Sequence, residues 1–136
     1  MTPGLRERWS QSFTDPSGGA FASIVVPDVE LDGSIFARPV HGRLAVWTIL
    51  HTAAGIYDRL TFTREATGDG RVYLEWTGTA VGMPVDGVTI LVLGDQGHFT
   101  KVALHHRPLA AVLAFSAEMA NRLSAGSGAD HFYQVP

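Results

Sequence analysis

The sequence predicts an α+β domain in which helices pack on one face of a strongly curved antiparallel sheet. Three observations carry this prediction. Apolar residues recur at helical spacing near both ends of the chain, alternate with period two through its middle, and are separated there by clusters of turn-forming residues. Helices gathered before and after a run of consecutive strands point to helices layered on one face of a sheet.

Length and composition narrow the function classes. The 136 residues suit one domain, 1–136, with a folded core over 5–126 and a tail over 127–136. A hydrophobic fraction of 46% against 17% charged favours a sizeable core over disorder. The net charge is −3 and no basic run occurs, so nucleic acid is not an expected partner. With no cysteine, disulfides, thiolate metal sites and cysteine nucleophiles are excluded. No apolar run is long enough to span a bilayer. The stretch MTPGLRERWSQ is polar where a signal peptide is apolar, which predicts a cytoplasmic protein.

Leu5, Trp9 and Phe13 stand at i, i+4 and i+8 and build a first helical stripe. TDPSGG breaks it, and Asp15 or Ser17 is placed to cap a second short helix through Phe21, Ile24 and Val25, stopped by Pro27. Val29–Leu31 predicts a short strand, with a loop from Gly33. Pro39, His41 and Gly42 lead into a helix over Arg43–Tyr57, with Leu44, Trp47, Leu50, His51 and Ala54 on one stripe and Gly55 near its end.

From Leu60 the period becomes two. Leu60 and Phe62 alternate with threonines, and the turn 67–70 leads to Val72, Leu74 and Trp76 alternating with Tyr73, Glu75 and Thr77. Gly82-Met83-Pro84 and Asp86-Gly87 predict a further connection. Val88–Leu93 is apolar on both faces, Gly94–Gly97 signals a hairpin, and Phe99–His106 forms the last strand. Pro108 opens a final helix carrying Leu109, Val112, Leu113, Ser116, Met119 and Leu123, ended by Gly126. The tail ADHFYQVP is expected to be loose or docked on a partner.

The order of helix, helix, strand, helix, four-strand meander and helix resembles the nuclear transport factor 2-like superfamily, with its SnoaL-like and ketosteroid-isomerase-like domains. Three stretches carry the resemblance: VVPDVELDG, ARPVHGRLAVWTIL and YLEWTGTAVGMPVDGVTILVLGDQGHFTKVALH. With the elements between them they span about nine-tenths of the chain, and they match in pattern rather than in catalytic chemistry. The resemblance implies a cystatin-like roll: a cone-shaped sheet with helices on its concave side and a cavity open at one end. The family includes isomerases, polyketide cyclases, epoxide hydrolases, dehydratases and inert binding domains, so function has to come from the cavity lining.

The resemblance places Asp32 near the general-base carboxylate of ketosteroid isomerases, where an apolar cone would raise its pKa towards a useful base. Asp32 followed by Gly33 is equally a common turn opening. The isomerase's two hydrogen-bonding acids fall at Trp9 and Thr89, neither of which replaces a phenol or a neutral carboxylic acid, which argues against steroid isomerisation. The Asp–Arg–Asp set of the epoxide hydrolases has no counterpart beside Glu75 and Lys101. In the cyclase pattern the acid–base residue corresponds to His106. Strict alternation with Val102 and Leu104 points it inward, and the competing reading is a strand-end histidine bonded to a backbone carbonyl.

Trp47, His51, Tyr57, Trp76, Phe62 and Met83 are candidate wall residues for a flat hydrophobic ligand, although plain core packing accounts for each of them too. The expected ligand-binding set is thus Trp9, Trp47, His51, Tyr57, Trp76 and Thr89. His105 and His106 are adjacent on a strand and face opposite ways, and no histidine pair shows zinc-helix spacing, so no metal and no cofactor is expected. The partners expected are a small hydrophobic molecule and a second copy of the chain, joined through the outer sheet face that carries Tyr73, Glu75, Thr77 and Thr79. Three functions stay open: a small acid–base enzyme (cyclase, isomerase or lyase type), a non-catalytic ligand-binding domain, and a protein-association module.

Overall fold

In the computed structural model the described residues are 4–12, 15–123 and 128–133. Phe13 of the first stripe, Gly126 at the predicted end of the last helix, and residues 134–136 of the tail lie outside them. Four helices cover one face of a curved, open six-stranded sheet.

Helix α1 spans Leu5–Ser12 and buries Trp9. Helix α2 is one turn, Gly19–Ala22, shorter than predicted. Asp15 organises its start: Oδ1 accepts from the Ser17 N–H and hydroxyl, and Oδ2 from the Ala20 N–H. These hydrogen bonds hold the Asp15 carboxyl below the usual carboxylate range. Strand β1 then runs Val25–Gly33, so Val25 belongs to a strand and not to the helix. Pro27 is tolerated because the register with the neighbouring strand breaks between Val25 and Glu30, where no ladder N–H is required. Strand β2 (Val40–His41) pairs with the end of β1 and was not foreseen.

Helix α3 covers Arg43–Ala54 and ends at Gly55, three residues before the predicted boundary at Tyr57. Its buried face is Val46, Ile49, Leu50 and Ala53. The predicted stripe was rotated by about one residue: Leu44 is 77% exposed and His51 is exposed. Spacing alone tolerates that error, because two neighbouring stripes of this helix are both apolar.

Strands β3 (Tyr57–Gly68), β4 (Arg71–Ala80), β5 (Met83–Leu93) and β6 (Phe99–Arg107) form the meander. Two-residue turns at Asp69-Gly70 and Val81-Gly82 have positive φ at both positions, which matches the twist of the paired strands. The connection predicted at 82–87 is therefore confined to Val81-Gly82, and Asp86 and Gly87 lie inside β5. The strand order is β2-β1-β6-β5-β4-β3. All pairs are antiparallel except β1 with β6, which is parallel, so the sheet is mixed at this one seam.

Helix α4 (Leu109–Arg122) buries Ala111, Val112, Phe115, Ser116 and Met119, while Leu109 and Leu113 face out. The Ser116 hydroxyl donates to the Ile35 carbonyl and accepts from the Tyr133 N–H. Phe132 is buried against Phe36, and the Ala37 N–H donates to the His131 carbonyl. Residues 128–133 thus dock on their own chain, which corrects the expectation of a loose or partner-bound tail over that stretch. Among the described residues no helix is long and apolar enough to cross a membrane.

Candidate functional site

The inner face of the sheet is set by alternation. Val72, Leu74 and Trp76 of β4, Val85, Thr89 and Leu91 of β5, and Val102, Leu104 and His106 of β6 are all buried. Register brings Trp76, Gly87 and His106 into one row across three strands. Gly87 has no side chain to fill the middle of that row. The Trp76 and His106 rings close over it, with centroids 4.9 Å apart and planes at 72°. A Cβ on Gly87 would sit 2.7 Å from Trp76 Cζ2 and 2.0 Å from the His105 carbonyl oxygen, so this glycine serves ring packing and not a turn.

Tyr57, the first residue of β3, reaches across to the same row. Its ring packs edge-on against Trp76 at 5.6 Å and at a tilt of 43° against Phe115 of α4 at 4.9 Å. Its hydroxyl lies 2.5 Å from His106 Nε2, a short hydrogen bond. His106 Nδ1 is buried and makes no hydrogen bond of good geometry. Burial lowers the His106 pKa to about 4; the nearby Leu104 carbonyl works in the opposite direction and the charge of His105 adds slightly to the lowering. Burial pushes the Tyr57 phenol far up. Both groups are therefore neutral at pH 7, as the low-dielectric surroundings demand.

Beside this pair lies a cavity of about 370 Å³. Its wall is mostly apolar: Trp9 from α1, Leu50, Ala53 and Ala54 from α3, Leu60 and Phe62 from β3, Trp76 from β4 and Leu104 from β6. Ser10, Tyr57 and Thr89 bring hydroxyl groups, and Asp58 and Arg59 complete the lining. Asp58 and Arg59 are exposed on the edge strand, so opposite charges stand at the solvent side of the cavity and uncharged groups at its inner side.

The predicted site residues divide accordingly. Trp9, Tyr57, Trp76 and Thr89 line the cavity, and His106 stands directly behind Tyr57. Trp47 and His51 stack on each other at 4.8 Å elsewhere on α3, away from the lining. Asp32 is not brought to the cavity. Leu31 is fully buried, so alternation turns Asp32 to the outer face, in a shallow groove with Ser34, Lys101, Ala103 and His105. Its Oδ1 accepts from the Gly33 N–H at 2.8 Å. Asp32 and Gly33 are still in the β1 ladder, and the turn comes after them, closed by the Phe36 N–H donating to the Gly33 carbonyl, so Asp32 does not open it. Of the two histidines, His105 faces out and His106 in, as alternation requires.

Sequence reasoning missed the Tyr57–His106 bond, because no spacing rule joins residues 49 positions apart. Of the α3 wall, Leu50 and Ala54 lay on the predicted stripe and Ala53 did not; a stripe turned by one residue would have included it. Among the described residues no three acidic, histidine or cysteine side chains converge as a metal site would need.

No protein-family model matches the sequence, and no curated protein does. Solved structures do match in shape. A steroid delta-isomerase from Pseudomonas aeruginosa superposes with a TM-score of 0.77 at 18% identity, over 86% of this chain and 87% of that one. An uncharacterised bacterial protein with a cystatin-like fold from Silicibacter pomeroyi gives 0.80 at 16% identity, over 90% and 86%. A hypothetical protein with a ketosteroid isomerase-like fold from Catenulispora acidiphila, solved in complex with trimethylamine, gives 0.62 at 18% identity, over 84% and 92%. Identities this low speak for the backbone alone. The chain thus has the nuclear transport factor 2-like fold in its ketosteroid-isomerase-like, cystatin-like form.

Proposed function

We propose that this chain binds a small, largely apolar, uncharged molecule between α1, α3 and the concave face of the sheet. The observation that supports this reading is the 370 Å³ cavity with aromatic and aliphatic walls and three hydroxyl-bearing side chains, Ser10, Tyr57 and Thr89. A charged ligand group would have to lose its hydration beside two side chains that burial itself keeps neutral. Thermal unfolding in the presence of naphthalene-sized neutral aromatics tests the idea. A ligand at about a hundred times its Kd should stabilise the fold by about 2.7 kcal/mol. Ala53→Phe, which fills the cavity from α3, should cancel that gain; an equal response in wild type and variant would refute the reading.

A second reading, acid–base chemistry of the cyclase, isomerase or lyase type, draws on the Tyr57–His106 pair. A neutral imidazole behind a phenol can take up a proton through the hydroxyl. It requires turnover of a bound compound that Tyr57→Phe abolishes while binding persists. Steroid-type isomerisation through Asp32 is not proposed, since that carboxylate lies on the outer face.

The same proposal includes a homodimer through the outer sheet face. Tyr73 is 38% exposed there, and Val88, Ile90 and Val92 are half-buried beside it. Sedimentation equilibrium should give twice the chain mass, and Tyr73→Arg should shift it towards the monomer; a monomeric wild type at high concentration would remove the dimer from the proposal.

A further inference from the structure

A cavity that binds an apolar molecule still has to orient it, and the direction of its polar groups decides which ligand functions it accepts. The Tyr57 hydroxyl has one proton to give and lone pairs to receive with. Its bond to His106 uses one of these capacities and leaves the other for a ligand. The tautomer of His106 therefore sets what Tyr57 offers.

Two arrangements are possible. With the imidazole proton on Nε2, His106 donates to Tyr57, and the phenol O–H is free to donate to a ligand. With the proton on Nδ1, Tyr57 donates to Nε2, and the phenol oxygen can only accept. The chemistry of the short Tyr57–Nε2 contact discriminates between them. A phenol O–H is a stronger donor than the N–H of a neutral imidazole, and an imidazole nitrogen is a stronger acceptor than a phenol oxygen. The bond therefore runs from the Tyr57 hydroxyl to Nε2, and the ring proton lies on Nδ1.

We infer that His106 is a positioning residue which holds Tyr57 as a hydrogen-bond acceptor, so that the cavity selects apolar molecules bearing a neutral donor, an alcohol or phenol, over the matching ketones and ethers. The inference rests on the proposed binding function and adds the class of ligand. His106 does not line the cavity and acts only through Tyr57, which does.

The test uses three probes of one shape: naphthalene, 2-naphthol and 2-methoxynaphthalene, with affinities measured by calorimetry on the full chain at pH 7. Wild type should hold 2-naphthol about three- to tenfold tighter than 2-methoxynaphthalene, the worth of one net hydrogen bond. In His106→Phe the ring packing on Trp76 is kept while the acceptor of the Tyr57 proton is lost. The phenol then becomes a donor and the preference should move towards 2-methoxynaphthalene, a change that a merely structural role would not produce. Tyr57→Phe should level the two. An imidazole 15N spectrum of wild type supplies a reading that needs neither ligand nor variant, and it should show Nε2 unprotonated. A proton found on Nε2, or a donor preference unchanged in His106→Phe, overturns the inference. Equal binding of all three probes overturns it as well while leaving the binding function intact. No binding by any of them removes the binding function, and the inference falls with it.

Discussion

His106 sits among aromatic rings in a place where a cation is costly, and folding keeps its imidazole neutral down to about pH 4. The unfolded chain takes up that proton near the ordinary value of 6.5. Between those values the unfolded state binds more protons, so stability is full above about pH 6.5 and falls as pH drops towards 4. The contribution is about 1.4 kcal/mol per pH unit across that window. Urea denaturation of wild type and His106→Phe at pH 7, 6, 5 and 4.5 should give curves whose separation changes with that slope; parallel curves would show that the histidine is not neutral by burial. The inward direction of His106 was legible from strict alternation along β6. The same rule, applied to Leu31 and Asp32, would have turned Asp32 outward, but an expected family role was placed on it instead. What no local rule supplies is the partner of a side chain. Tyr57 and His106 meet because β3 and β6 lie on one concave face, and that is a property of the curved sheet.

At the scale of elements, the strands after Leu60 were legible because period two survives wherever one face is buried. The misses occurred where a local signal was overridden. Pro27 read as a helix stop, but it occupies a part of β1 that has no ladder to satisfy. Asp86-Gly87 read as a turn, but the glycine makes room for the His105 carbonyl and the Trp76 ring on neighbouring strands. The real turn contains Val81 at φ 52°, a conformation that a β-branched residue enters only at a cost. Val81 is 39% exposed, so little packing is lost on replacement. Val81→Asn places Asn-Gly at a two-residue hairpin turn and should stabilise the chain by about 1 kcal/mol. Equilibrium unfolding at neutral pH checks this, and an unchanged or lower midpoint would show that the turn is not strained there.

At the scale of the molecule, the six strands and four helices of the described residues leave unfilled space between the layers where close packing would normally leave none. Residue patterning carried the layers, whereas a hollow was expected from the family resemblance alone. A stripe of Leu50, Ala53 and Ala54 and a strand face of Trp76 and Leu104 look alike whether they touch one another or stand apart. The difference arises from the bend of the sheet and from the length of β3, whose edge supplies Leu60 and Phe62. Its neighbours in shape include a steroid delta-isomerase and an uncharacterised protein, at 18% and 16% identity, so the shared backbone says nothing of what the hollow holds.

The distribution of the three indoles gives the molecule an optical reporter of its own. Trp9 and Trp76 border the hollow, whereas Trp47 lies against His51 elsewhere on α3. Any occupant changes the surroundings of two emitters and leaves the third as an internal reference. The colour and intensity of intrinsic fluorescence therefore register filling without any label, and Trp47→Phe would remove the constant background.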